Sequence, residues 1–272
     1  MAMGTTSSPA WQPLTPRGVA VFAQAPLRRL LLVQFIVALA VAVGVACLCY
    51  DRYVPVIEAA IEKLPAQSQV RQQQLDWRGD TPVVLGENRF LALMVDVHRS
   101  GQLRPVAHVQ FEFSRTNIVV RSLFGYVELP YVKGWTLAVS REELQPRWGA
   151  WRPALLAGVI GAVLLWLFAS WIGLAFLYAL PVWLLGFFLN RELSWAGSWK
   201  LSGAALLPGA LLMLAGISFY DLGASDLVGM LFLFVAHIVV GWVYLGVSVF
   251  AAPRVSAGAG GRKNPFRSEG GK

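Results

Sequence analysis

The chain has 272 residues, of which 56% are hydrophobic and 14% charged, and its formal net charge is +8. An ordinary soluble domain is about one-quarter charged, so the composition excludes a typical soluble protein and favours a polytopic α-helical membrane protein. The positive charge does not indicate a nucleic-acid partner, because much of the basic excess lies beside apolar runs and in the tail. The two cysteines, Cys47 and Cys49, are two positions apart in one apolar run, so we expect no disulfide.

Residues 1–29 are rich in Pro, Ser, Thr and Gly and are predicted to form a mobile cytoplasmic tail. Residues 30–50 carry no charge and would cross roughly 30 Å of hydrocarbon as a helix. This run is predicted to be transmembrane helix 1. A retained signal anchor is favoured over cleavage before Cys47, because the run is longer than a usual cleavable core.

Residues 51–152 are predicted to form an extracytoplasmic domain made of an amphipathic helix and an antiparallel sheet. One helical face holds apolar residues three and four positions apart, namely Val54, Ile57, Ile61 and Leu64. The stretch "VAHVQFEF" alternates apolar and polar side chains, as a half-buried strand does. Turn signals separate it from neighbouring candidates, which gives four to six strands between about residues 80 and 140.

Residues 153–189 hold no charge and are too long for one bilayer crossing. They form either one long transmembrane helix 2 with an interfacial extension broken at Pro181, or two short spans. With one span, the rest of the chain divides into a cytoplasmic loop at 190–200, transmembrane helix 3 at 201–220, an external loop at 221–226, transmembrane helix 4 at 227–252, and a disordered basic cytoplasmic tail at 253–272.

The basic residues favour the one-span alternative and therefore four transmembrane helices. That topology places Arg191, Lys200 and both basic termini on one side, and Asp221 and Asp226 on the other. Short loops rich in Lys and Arg stay in the cytoplasm. We therefore expect both termini to be cytoplasmic. Trp195 and Trp199 are expected to anchor the 190–200 loop at the lipid headgroups, together with Arg191 and Lys200.

Two polar residues inside predicted spans are candidates for a functional role. His237, near the middle of the last span, could mark a relay or pathway. A neutral histidine hydrogen-bonded to a neighbouring helix is the favoured interpretation, because the spans hold no Asp, Glu, Lys or Arg. Gln34, near the start of the first span, is expected to bond between helices.

Small residues recur four positions apart and allow helices to approach closely. The pairs are Ala154 with Gly158, Ala157 with Gly161, and Ala205 with Gly209. Packing within a four-helix bundle is favoured over dimerisation for them. Pro208 is expected to kink the third span.

No catalytic, cofactor or metal signature is found in the sequence. His98, Arg99 and Arg104 follow a candidate strand and could bind an anion, but a solvated turn is favoured. His98 and His108 could approach each other across a hairpin, although two histidines with no carboxylate or thiol partner are weak support for a metal site.

Two stretches resemble a bacterial membrane-protein family of unknown function, some members of which are described as maltodextrin-utilisation proteins. The first runs from "GENRFLALMVDVHRSGQL" to "GYVELPY", where Asp96 and Gly101 match the family's strand-and-hairpin pattern with a two-residue insertion and without its threonine. The second is "LSWAGSWKLSGAALLPGALL", in which Trp199, Lys200, Leu201 and Pro208 match the family's pattern at the start of a span. The C-terminal half is also similar to Yip-type membrane domains. The resemblance covers roughly residues 25–252. It implies an anchored extracytoplasmic domain on a helical bundle in a bacterial inner membrane, and it implies no catalytic residue.

These patterns favour a non-enzymatic accessory or scaffold protein that presents its outer domain to a membrane or envelope partner. A small-molecule transporter or channel component is the first alternative, and a membrane-anchored ligand sensor is the second. The expected partners include the lipid bilayer and do not include nucleic acid. The small-residue pairs would also allow a homo-oligomer to form.

Overall fold

The computed structural model of the protein describes residues 12–255. The chain forms two compact units. We call Met1–Gly44 with Gly161–Lys272 the helical unit, and Val45–Ile160 the β-rich unit. Of the predicted C-terminal tail at 253–272, only residues 253–255 lie within the described part of the chain.

Four helices in the described part of the chain are long and apolar enough to cross a membrane, and a β-rich segment lies between the first and second. The predicted fold class is therefore confirmed. The four candidate spans are Leu27–Glu62, Arg141–Phe188, Trp195–Asp221 and Leu227–Ala251.

The first span and the amphipathic segment form one uninterrupted helix. Helix α2 covers Leu27–Leu48, a π-helical turn covers Cys49–Tyr53, and α3 covers Val54–Glu62. The π turn lies directly before Pro55, whose missing N–H interrupts the regular hydrogen-bond ladder. The chain therefore changes helical pitch where the apolar run ends, without leaving the helix.

The segment before α2 is folded, so the expectation of a mobile tail is wrong from residue 12 onwards. Helix α1 covers Pro16–Val21, and the Thr15 hydroxyl accepts a hydrogen bond from the Gly18 N–H at 3.1 Å. Val19 and Phe22 are 0% and 1% exposed in the core of the helical unit. Burial of these apolar side chains offsets the entropy lost in ordering a Pro- and Gly-rich segment.

The second span is one helix, α4, that covers Arg141–Phe188 and passes through Pro181 without a break. It begins well before residue 153, where the charge-free run starts. A turn between two short spans does not occur. The helix does not break at Pro181 to form an interfacial extension. It is instead longer at its N-terminal end, where residues 141–152 include both charged and apolar side chains.

The third span consists of two helices. Helix α5 covers Trp195–Ala205 and α6 covers Leu207–Asp221, with Pro208 in the first turn of α6. The interruption at Leu206 fits the loss of one backbone donor at the proline. The last helix, α7, covers Leu227–Ala251, and the Asp226 carboxylate accepts from the Gly229 N–H at 2.7 Å at its N-terminus.

The β-rich unit holds two sheets. The eight strands are β1 (Gln69–Arg71), β2 (Gln74–Asp76), β3 (Val83–Glu87), β4 (Leu91–Val95), β5 (Val109–Phe113), β6 (Asn117–Ser122), β7 (Gly125–Pro130) and β8 (Leu137–Ala138). Five of them form one sheet in the order β3-β4-β5-β6-β7, and three form a smaller sheet in the order β2-β1-β8.

One strand pair differs from the antiparallel sheet that the sequence predicts, because β4 and β5 are parallel. Parallel neighbours need a crossover rather than a hairpin. Residues 96–108, which contain the predicted turn "HRSGQLRP", make this crossover. The Gln110 amide holds its far end by donating to the carbonyls of Pro105 and Ala107, at 2.9 and 3.3 Å.

Candidate functional site

The β-rich unit contains an apolar cavity of about 470 Å³. Its wall is formed by α3, both sheets, the segment between β7 and β8, and the first turn of α4. This volume falls inside the range of about 300–1000 Å³ that small-molecule sites occupy. The cavity is therefore the principal candidate site in the described residues.

Helix α3 contributes one side of the cavity through the face that the sequence predicts. Ile57, Ile61 and Leu64 line the cavity, as does Ala60. The helix lies close to strand β3, since a Cβ added at Gly86 would come within 2.5 Å of the Val56 carbonyl oxygen. A glycine is therefore required there for the helix to approach the sheet.

The opposite wall comes from the alternation in β4, β5 and β6. Leu93, Val95, Phe113 and Ile118 point into the cavity, and Phe113 is paired with Ile118 across β5 and β6. The polar side chains of these strands point to the other face. The period-two pattern of the sequence thus places one apolar face towards the cavity.

The cavity wall offers few polar side-chain atoms, and the two on its buried part are already bonded. The Tyr131 hydroxyl donates to the Ser114 carbonyl at 2.9 Å, and the Trp77 indole N–H donates to the Asp80 carbonyl at 2.9 Å. Burial raises the pKa of Tyr131 to about 12, so its hydroxyl stays neutral. No charged side chain lines the cavity.

The cavity opens to the surface at the segment between β7 and β8. Leu129, Val132, Trp135 and Leu137 line the cavity although they are exposed, and Trp135 is 63% exposed. We call these four residues the mouth. Residues 132–135 form a turn in which the Trp135 N–H donates to the Val132 carbonyl at 3.4 Å, and Gly134 has a φ of +77°.

The other face of the five-stranded sheet is polar. Glu112 pairs with Arg121, while Glu128 accepts hydrogen bonds from Arg99 at 2.8 Å and from Asn117. The hydrogen bond from Arg99 lowers the pKa of Glu128. Two clefts of about 260 and 270 Å³ lie on this face. Both carboxylates on this face, Glu112 and Glu128, are paired with arginines. The ion pair with Glu128 also holds Arg99 and the turn in which it lies against the sheet.

Asp96 begins the crossover and organises its first turn. Its carboxylate accepts from the Ser100 hydroxyl at 2.9 Å and from the Gly101 N–H at 3.0 Å, and Gly101 has a φ of +67°. Burial acts to raise the pKa of Asp96, but hydrogen bonds from Ser100, Gly101 and His98 outweigh it and lower the pKa. Asp96 and Gly101 therefore act together in one turn.

The two polar residues of the spans bond to backbone carbonyls. The Gln34 amide, which is 3% exposed, donates to the Gly203 carbonyl of α5 at 3.3 Å. His237 differs from its favoured interpretation, because Nδ1 contacts the Phe234 carbonyl of its own helix rather than a neighbouring one. Its ring also lies 4.9 Å from the Phe234 ring, centroid to centroid.

The small residues of the spans lie in different surroundings. A Cβ added at Gly209 would come within 2.5 Å of the His237 carbonyl oxygen, so α6 and α7 make their closest approach there. A Cβ added at Gly158 or Gly161 would meet nothing within 4 Å. These two glycines therefore do not pack against another part of the described chain.

The 190–200 loop is tied to other parts of the helical unit. Arg191 donates to the Ala252 carbonyl at 2.7 Å, and Lys200 donates to the Ala25 carbonyl at 2.7 Å. Trp195 is half exposed and lies against Trp183, whereas Trp199 is half buried beside Phe176. The loop is thus a packing element of the helical unit.

Sequence reasoning misses the part of the cavity wall that β1 and β2 form. Val70 and Leu75 line the cavity from strands of three residues, which are too short for an alternation to be recognised. Within residues 12–255, no group of three or more His, Cys, Asp or Glu residues could hold a metal ion. His108 instead packs edge-on against Phe90, with the ring centroids 5.7 Å apart.

No protein-family model, no curated protein and no solved structure matches this chain. The family resemblance therefore stays a prediction that rests on its two sequence stretches.

Proposed function

We propose that the protein is a membrane-anchored receptor that binds an apolar small molecule in the cavity of its β-rich unit. The observation that carries this proposal is an almost wholly apolar cavity of about 470 Å³ whose wall has no charged side chain. Apolar cavities of this kind exclude water and take up apolar ligands. The four candidate spans would hold the binding unit at a bilayer.

We propose further that this bilayer is a bacterial inner membrane and that the β-rich unit is extracytoplasmic. The family resemblance supports the bacterial inner membrane. The distribution of basic residues supports the orientation, since Arg191 precedes the third span and Lys200 lies in its first helix, whereas the 221–226 connection holds two aspartates and no basic residue. The receptor then samples its ligand outside the cytoplasm.

A test uses the full chain in lipid nanodiscs and a photoreactive hydrocarbon with no polar headgroup. We expect covalent labelling of buried cavity residues such as Leu85 and Val95, located by mass spectrometry. Labelling of the four spans serves as an internal control for probe access. If the spans are labelled and the cavity wall is not, the proposed function is wrong.

A scaffold function is the second candidate, and the exposed edge of the larger sheet favours it. All six residues of β7 are exposed, and Phe124 at the tip before it is 91% exposed. An exposed edge strand with apolar side chains can pair with another chain. A photo-crosslinking amino acid at Phe124 should capture one defined partner in cells, whereas the same residue at Leu165 of α4 should not.

A further inference from the structure

We infer that the ligand is a single-chain amphiphile, with one long acyl chain inside the cavity and an anionic headgroup outside the mouth. This inference rests on the proposed function and adds the chemical class and orientation of the ligand. A free fatty acid and an anionic lysophospholipid share this chemistry, since each has one acyl chain and a headgroup that carries a carboxylate or a phosphate.

The volume of the cavity limits the ligand to one chain. An engineered protein cavity of about 150 Å³ takes up benzene, which has six carbon atoms. A cavity of about 470 Å³ is roughly three times larger and so accommodates roughly eighteen carbon atoms. That is the size of one long acyl chain, whereas both chains of a diacyl phospholipid do not fit.

The polarity of the wall determines which end of the ligand enters. A carboxylate or phosphate inside the cavity would find few donors, because the Tyr131 hydroxyl and the Trp77 indole already donate to carbonyls of the protein and the Trp135 indole belongs to the exposed mouth. Burying an unpaired charge costs far more free energy than burying a methyl end recovers. The acyl chain must therefore enter first.

The mouth offers the surroundings that an amphiphile needs at its headgroup. The apolar side chains of Val132 and Trp135 line the mouth, while Lys133 between them in sequence is exposed on the same turn. An indole and an ammonium group suit the boundary between apolar chain and water. The Lys133 ammonium can reach an anionic headgroup there, because its flexible stem keeps the charge in water.

The test compares positions along one chain. The full-length protein in lipid nanodiscs is photolabelled with two fatty acids, which carry a diazirine near the methyl end or beside the carboxylate. We expect the methyl-end probe to label the buried wall, including Leu85 and Val95, and the carboxylate-end probe to label the mouth. The reverse pattern, or labelling that does not depend on the diazirine position, overturns the inference.

Further arms separate the two ligand sources and the two proposals. The same pair of probes built as lysophospholipids shows whether the site takes a free acid, a membrane lysolipid or both. If the headgroup-free hydrocarbon labels the wall and neither amphiphile does, the inference is wrong and the proposed function stands. If no probe labels the wall, both fail.

Variants of Leu93 and Lys133 connect the labelling to the cavity and to the mouth. Leu93→Trp narrows the cavity and should reduce wall labelling by the methyl-end probe at least fivefold, while Leu123→Trp at an exposed tip should not. Leu93→Phe gives a smaller loss and covers the case in which the larger residue prevents folding. Lys133→Glu should reduce labelling by both amphiphiles severalfold and leave hydrocarbon labelling unchanged. Equal losses for all probes would contradict a headgroup at this turn.

Discussion

At the scale of single residues, three buried polar side chains bond to groups that lie close to them in the fold. Gln34 donates to a carbonyl of α5, Tyr131 donates to Ser114, and Asp96 accepts from Ser100 and Gly101. Each hydrogen bond reduces the free-energy cost of burying a polar group. These residues therefore define local geometry rather than a reaction.

Asp96 gives a test of this role through pH. Its folded-state pKa is lowered, so its stabilising contribution is present above the unfolded pKa of about 3.9 and is lost as the pH falls through the folded pKa. We expect Asp96→Asn to cost about 1–2 kcal/mol at neutral pH. The gap in Tm between variant and wild type should close as the pH falls below about 3.9 and through the lowered folded-state pKa. A gap that does not change with pH would contradict the charged-acceptor role.

Gly209 gives a second test, at the approach of α6 to α7. A Cβ at this position would lie 2.5 Å from a backbone oxygen, which cannot move aside as a flexible side chain can. We expect Gly209→Ala to destabilise the protein by about 1–3 kcal/mol, as overpacking does. Gly246→Ala in α7 is the matched control, since its Cβ would meet nothing within 4 Å. Thermal unfolding in one detergent measures both, and equal Tm values would argue against close packing.

At the scale of elements, the segment from β7 to β8 connects two sheets and forms the mouth. It is held at its start by Tyr131, whose hydroxyl donates to Ser114 and whose carbonyl accepts from the Gln73 amide at 2.9 Å. Beyond this anchor, residues 132–137 are exposed. The segment is thus anchored at Tyr131, and its residues 132–137 are exposed to solvent.

Tyr131→Phe tests this anchor. The raised pKa of Tyr131, about 12, means that its folded-state contribution is fully present below the unfolded pKa of about 10 and is lost as the pH rises through the folded value. We expect the variant to lose about 0.5–1.5 kcal/mol at neutral pH. It should also lose the last-titrating phenolate in a near-ultraviolet absorbance titration. Tyr126→Phe, on an exposed strand, is the control and should retain that late step.

The elements also show what a sequence can and cannot predict here. The spacing of Ile57 and Ile61 and the alternation ending at Phe113 predict the faces that line the cavity, because both periods are local. The parallel pairing of β4 with β5 is not predictable in this way, since it depends on where the 96–108 crossover runs. Folding of the segment around Val19 is likewise missed, because its burial comes from distant helices.

At the scale of the whole molecule, four long apolar helices with a β-rich segment after the first indicate a multi-pass membrane protein. Composition and run lengths predict this architecture because hydrocarbon thickness limits the length of a span. The cavity is not predictable from composition and run lengths, because it forms only where α3 and the two sheets come together. Architecture and site thus depend on different information in the sequence.

The proposed orientation is testable with single cysteines in a variant that lacks Cys47 and Cys49. Glu192 and Ala224 are exposed and lie on the two connections that flank the third span. We expect an impermeant thiol reagent to label Ala224→Cys in intact cells, and Glu192→Cys only after permeabilisation. The opposite pattern would place the β-rich unit in the cytoplasm and change the proposed source of its ligand.

The pairing between the 190–192 segment and residues 252–255 has a consequence for biosynthesis. The Glu192 N–H donates to the Pro253 carbonyl at 2.9 Å, and Arg191 donates to a carbonyl 61 positions later in the chain. The ribosome must therefore synthesise the whole of α6 and α7 before this contact can form. Until then, the guanidinium and amide donors near Arg191 must be satisfied by water or lipid headgroups. Closure of this contact is accordingly a late step of membrane insertion, and a nascent chain stalled before residue 252 would lack it.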